Sequence, residues 1–140
     1  MRAAARPVSV GVGLMLSTIP ARILRDTAVF FIPTGMDKYQ QTVNKTEIVR
    51  RVHLQSDNST RKTGTNTEVV LRGVLFIDAR LSFPTLDYWA LQESAQAAGA
   101  VMTVSVTDRS GKTTGPYTVL TIDGLPDDEG NTHHWELSLV

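Results

Sequence analysis

The chain has 140 residues, 41% of them hydrophobic and 6% aromatic, which suits one ordinary globular core and leaves too little for a second domain. It holds no cysteine, so disulfide frameworks, thiolate nucleophiles and cysteine-based zinc sites are excluded. Formal charge is zero, yet residues 1–80 carry twelve Lys/Arg against six Asp/Glu (+6) and residues 81–140 carry two against eight (−6). That split describes a two-faced molecule, unless strands from both halves intermix and cancel it.

Arg2 and Arg6 precede the apolar run Val8–Leu16, an arrangement that imitates a secretory signal. Gly11 and Gly13 interrupt the run, and no small-x-small cleavage site follows. Residues 1–15 are therefore expected to be a flexible arm or an extended gene reading, and residues 16–140 a single β-domain. No apolar run approaches the roughly 20 residues needed to cross a bilayer as a helix.

Ile19-Pro20-Ala21-Arg22-Ile23-Leu24 forms a short entry turn, with Pro20 at a first helical position. Thr27–Ile32 is β-branched and aromatic, a strand ended by Pro33-Thr34-Gly35. Alternation predicts another strand from about Thr46 to Leu54, with Val49 and Arg51 on one face and Arg50 and Val52 on the other. Gln55–Thr67 follows as thirteen residues without one apolar side chain, longer than an ordinary connection. Glu68–Ala79 resumes as a strand, and Pro84 breaks the sheet.

Leu86–Ala98 is the one strong helix candidate, with Thr85 to cap it, Asp87 in its first turn and Gly99 to end it. Its apolar stripe is read as Leu86, Trp89, Ala90 and Ala97, with Glu93. Ala100–Thr107 and Tyr117–Ile122 are strands separated by the turn Asp108–Gly115. After the turn Asp123–Thr132, alternation in the last eight residues places His133, Trp135, Leu137 and Leu139 on one face. Trp135, Leu137 and Leu139 are thus the expected core of a closing C-terminal strand. The expected fold is mainly β: a small antiparallel barrel or sandwich of about six strands, with one short inserted helix and a long polar loop.

No catalytic constellation emerges. Gly111-Lys112-Thr113 lacks the leading glycine of a phosphate-binding loop, since Val106 stands there. Asp127-Asp128-Glu129-Gly130 would need Leu125 as the first calcium ligand. His133 and His134, as neighbours on a strand, face opposite sides and share one ion with difficulty. No nucleophile elbow or acid/base pair is present. The expectation is a non-enzyme without cofactor or metal. Cations do concentrate in one region: Arg50, Arg51, Arg61, Lys62 and Arg72, with His53 among them, against Asp57 and Glu68 alone. Lys and Arg interspersed with Ser, Thr and Asn suit phosphate contacts that read no bases.

Taken in order, Ile19-Pro20-Ala21-Arg22-Ile23-Leu24, then Leu75-Phe76-Ile77-Asp78 with Ser82-Phe83-Pro84, then Tyr117-Thr118-Val119 and the closing His133–Val140 resemble the putative minor capsid proteins of tailed bacteriophages. These are head-to-tail connectors of the stopper, or head-closure, type. The resemblance spans about residues 16–140; the Leu86–Ala98 helix departs from it. It implies a β-barrel connector in the virion neck, assembled in the host cytoplasm. It also implies a homo-oligomeric ring, six-fold with twelve-fold as alternative, docked between a portal or adaptor ring and a tail terminator or tail completion protein. In such proteins a long loop enters the channel and retains packaged double-stranded DNA. Here that role would fall to Gln55–Thr67, with Arg50, Arg51, Arg61, Lys62 and Arg72 as the DNA-channel or gating residues. Two other readings stand beside it: a secreted β-sandwich binding module, and a small barrel metal-dependent enzyme using His133 or His134.

Overall fold

The structure, a computed structural model, describes residues 19–62 and 67–140, without the side chain of Arg61. The predicted N-terminal arm lies outside the described residues, and so does the tip of the polar segment. The strands are β1 (Asp26–Met36), β2 (Thr42–Ser56), β3 (Thr60–Lys62), β4 (Glu68–Val70), β5 (Gly73–Asp78), β6 (Thr103–Thr107), β7 (Thr113–Pro126) and β8 (Thr132–Leu139). The single α-helix among them, α1, spans Tyr88–Ala97. Six strands close into a barrel in the order β1-β2-β5-β8-β7-β6, with every pairing antiparallel, and β3–β4 form a separate hairpin. The fold is mainly β as expected, and it is a barrel rather than a sandwich.

Period-two alternation fills the interior. Ala28, Phe30 and Ile32 point inward from β1, Met102, Val104 and Val106 enter from β6 and the residue before it, and Trp135, Leu137 and Leu139 come from β8. The chain terminus belongs to this wall: Thr118 and Val140 exchange backbone hydrogen bonds of 2.9 and 3.0 Å. The predicted phase of β2 fails at one residue. Asp26 pairs with Val52 but Thr27 pairs with Arg50, so Arg51 is the extra residue of a β-bulge, in a left-handed conformation at φ 62°. Alternation restarts after it. Val49 and Val52 both face inward, while Arg50 and Arg51 are both exposed.

β1 also runs on through the Pro-Thr-Gly that was expected to end it. Pairing with β6 stops at Phe31, so Pro33 stands where β1 has only β2 beside it, and its missing N–H costs no ladder bond on the free edge. The predicted strand Glu68–Ala79 is broken at Leu71-Arg72 into β4 and β5. Leu71 is buried there and donates its N–H to the Ser59 carbonyl, anchoring the base of the β3–β4 hairpin.

α1 fills a hole in the wall. β6 has five residues beside an eleven-residue β1 and a fourteen-residue β7. Beyond its start those two strands have nothing between them but the helix. Asp87, not Thr85, caps α1 by accepting from Ala90 N–H at 3.2 Å, and Gly99 ends it at φ 79°. The buried face is Tyr88 and Ala95 with Leu91 half-buried, which corrects the predicted stripe: Trp89, Ala90 and Glu93 are exposed. Trp89 lies against the sheet edge instead. Its indole N–H donates to the Ile122 carbonyl at 3.1 Å, and a Cβ on Gly124 would stand 2.7 Å from its ring. Gln92 bridges the seam, donating to the Val119 carbonyl and accepting from Met102 N–H.

Tyr88, Trp89 and Trp135 form an aromatic chain, with ring centroids 5.3 Å (Tyr88–Trp135) and 4.7 Å (Trp89–Trp135) apart at steep angles. Trp135→Ala is expected to cost roughly 3–5 kcal/mol, measured by denaturant unfolding. Removal of Trp135–Val140 should leave the protein insoluble; a truncated chain with an unchanged melting temperature would contradict a core role for β8. The Tyr88 hydroxyl, by contrast, is buried with no hydrogen-bond partner among the described residues. Burial, and then the negative charge of Glu47, push it well above its ordinary pKa. Tyr88→Phe removes that orphaned group, so its stability should equal or exceed the parent's; a loss above about 1 kcal/mol would mean the hydroxyl has a partner.

Candidate functional site: the cationic end of the barrel

Strand direction alternates along the chain, so every connection falls at one of two ends. The segment before β1, the connection from β2 to β5, the β6–β7 turn and the C-terminus share one end. The β1–β2 turn, the α1 region and the β7–β8 turn share the other. Counted by connection, residues 19–25, 57–72 and 108–112 carry seven Lys/Arg against three Asp/Glu (+4), while residues 37–41, 79–102 and 127–131 carry two against six (−4). Strands of both halves do intermix, and the charge is nonetheless segregated. Arg109 and Lys112, from the acidic half of the sequence, stand at the basic end.

At that end a groove of about 780 Å³ opens between the entry turn, the end of β2 and the β6–β7 turn. Arg22, Arg25, Arg109 and Lys112 line it, together with His53 and Tyr117. Among the described residues the ion pairs are Lys45–Glu47 (3.1 Å) and His134–Glu136 (2.9 Å), so none of these four cations stands in an ion pair, although the Lys112 charge acts on the Asp108 carboxylate of its own turn. The two acids in the lining are occupied by backbone. Asp26 accepts from Leu54 N–H at 2.8 Å. Asp108 accepts from the Ser110 N–H and hydroxyl and from Lys112 N–H. Arg25 is steadied by donating its Nε–H to the Arg22 carbonyl.

Those bonds, chiefly from the Ser110 hydroxyl and then from the Lys112 N–H, hold the Asp108 carboxyl below its ordinary value. A depressed carboxylate stabilises its turn above the ordinary range, and that contribution is lost as pH falls through the lowered value. Carbon-detected NMR titration should find Asp108 titrating below an unstructured Asp, and Ser110→Ala should move it upward; an unmoved midpoint would remove the hydroxyl as the cause.

The structure treats the predicted cations unequally. Arg72 is at the basic end, its guanidinium 4.7 Å above the Tyr117 ring and its N–H donating to the Leu139 carbonyl at 2.8 Å. Lys62 is exposed on β3, and Arg61 pairs through its backbone with Val69 on β4. The polar segment is thus no plain loop. β2 continues to Ser56, and Thr60–Lys62 folds back on Glu68–Val70 as a hairpin. Arg50 and Arg51 stay on the wall: five residues of strand, about 17 Å, separate Arg51 from Ser56, where the hairpin leaves the barrel.

Sequence reasoning missed Arg22, Arg25, Arg109 and Lys112. Arg22 falls in the entry turn, Arg25 just after it, and Arg109 and Lys112 in the β6–β7 turn, and only the alternation of strand direction brings those segments together. His133 and His134 also depart from expectation. Their backbone positions alternate, yet the rings meet with Nδ1 atoms 2.8 Å apart, and the His134 Nε2 lies 2.9 Å from Glu136. Among the described residues no three His, Asp or Glu side chains are arranged to hold a metal ion. Comparison of the chain with family models, with curated proteins and with solved structures finds no match in any of the three.

Proposed function

We propose that this chain is a structural protein of the tailed-phage neck, a stopper that forms a ring beneath the portal or adaptor, retains packaged DNA and offers the tail a docking surface. The observation that carries the proposal is the segregation of charge between the barrel ends, joined to a polar hairpin at the cationic one. A small closed barrel with opposite ends of opposite sign is suited to repeated heterologous contact, which gives rings when the rotation closes. The sequence resemblance supports the same reading.

In this reading the hairpin, with Arg61 and Lys62, and Arg72 at its base face the channel. Cations from several subunits would make a positive collar around the phosphate backbone, weak per subunit, salt-dependent and blind to base sequence. Arg50 and Arg51 then serve on the outer wall, where they belong to subunit or adaptor contact rather than to the collar. The hairpin buries little apolar surface, so its removal should spare the barrel.

Deleting Ser59–Thr65 should leave folding and ring docking unchanged while filled heads lose DNA, measured as nuclease-sensitive genome in purified particles. Deleted particles that keep their genomes and infect normally would reduce the hairpin to a solvated connection. Electron microscopy of assembled necks should show the chain in a closed ring; an isologous dimer with no ring would defeat the assignment.

A further inference from the structure

We propose that the groove at the basic end receives the acidic β7–β8 turn of a second copy of this chain, a contact that propagates head to tail. The two surfaces stand at the two ends of one strand. β7 begins beside Lys112 and ends at Pro126, fourteen residues later, about 45 Å of extended chain. The turn therefore cannot reach the groove of its own molecule, and a turn seated there comes from another copy.

The turn is built to be presented. The Asp127 carboxylate is spent on its own backbone, accepting from Glu129 N–H at 2.9 Å and Asn131 N–H at 3.0 Å. The backbone closes through Asp127 N–H to the Asn131 carbonyl at 2.7 Å. Asp128 and Glu129 remain exposed at a preorganised tip, as two carboxylates with no ion pair among the described residues. The groove offers matching chemistry: among the described residues Arg22, Arg25 and Arg109 form no ion pair, Lys112 shares its charge with Asp108 alone, and planar guanidinium groups suit bidentate carboxylate recognition. Ordering costs little at either side, because both turns are already fixed by an aspartate.

A nucleic-acid backbone is the competing occupant. The lining disfavours it. Ile23, Leu54, Val106 and Tyr117 give the groove apolar surface that Pro126, exposed beside the turn, can cover and a phosphate ridge cannot. The contact specifies how copies meet in the ring proposed above, and it rests on that reading only for closure into a ring.

The chain has no native cysteine, so Arg109→Cys and Asp128→Cys can be combined cleanly. On oxidation the double variant should give a ladder of covalent oligomers, while each single variant stops at dimer. Charge reversal supplies the second measurement. Arg22→Glu with Arg109→Glu, or Asp128→Lys with Glu129→Lys, should each weaken self-association at low salt at least tenfold by sedimentation, with unchanged thermal melting. Mixing the two reversed chains restores both contacts and should restore association. No ladder and no rescue on mixing would overturn the proposal. So would reversed groove residues that abolish binding of a 20-base-pair duplex while self-association stays intact, since the groove would then be a nucleic-acid site. A ladder that electron microscopy shows as open filaments upholds the contact and defeats the ring. A ring without the 109–128 cross-link upholds the ring and defeats the contact.

Discussion

The wall of this barrel has a gap, and most of the structure follows from the need to seal it. β6 is less than half the length of β1 or β7, so the sheet alone cannot close around the upper core. A helix inserted between β5 and β6 takes the place of the missing strand. Its side chains supply the hydrogen bonds a strand backbone would have made: Trp89 to the Ile122 carbonyl, and Gln92 to the Val119 carbonyl and Met102 N–H. Buried carbonyls without such partners would each cost of the order of 1–3 kcal/mol. Tyr88 then enters the core between Phe30 and Trp135, and the aromatic cluster exists because the helix is there to hold it. Gly124 belongs to the same solution, since Trp89 lies on the strand where a side chain would project.

A second fixed point ties the entry segment to the barrel. Asp78 is buried, and its carboxylate accepts from three backbone N–H groups, those of Ile19, Arg80 and Leu81. The Ser82 hydroxyl accepts from Asp78 N–H and donates to the carbonyl of Arg51, the bulged residue of β2. The entry segment, the turn after β5 and the bulge are thus held by two side chains. Both belong to the short motifs on which the sequence resemblance rests, and their physical role accounts for a Leu-Phe-Ile-Asp strand being followed so closely by Ser-Phe-Pro.

Much of the barrel was legible because its strands obey period-two burial. β6 and β8 were readable almost residue by residue, since Met102, Val104 and Val106, or Trp135, Leu137 and Leu139, alternate with polar neighbours. What sequence concealed was non-local. The Arg51 bulge reverses a phase that looked continuous, and β1 passes through Pro33 only because β6 stops at Phe31. The helix was found, but its face was assigned from Trp89, whereas Tyr88 is the residue that meets the core. The polar stretch after β2 hid a hairpin because its pairing is between backbones of exposed residues, which leaves no hydrophobic pattern to read. The cationic groove was invisible for a simpler reason: its residues lie in turns far apart in sequence, and topology alone assembles them.

Closing the ring has a consequence in time. β1 and β2 pair across a short turn, but β1 and β6 join residues such as Phe31 and Thr103, 72 positions apart, and no ladder bond forms there until the intervening chain has been ordered. Loop-closure entropy is spent before that pairing returns any contact, a feature that places barrels among the slower-folding small domains. The helix precedes β6 in the chain and seals the seam beside it. A seam that closes across so long a separation is also the stretch beside which Tyr88 and Trp135 lie, so water reaches that aromatic cluster wherever the seam stands open.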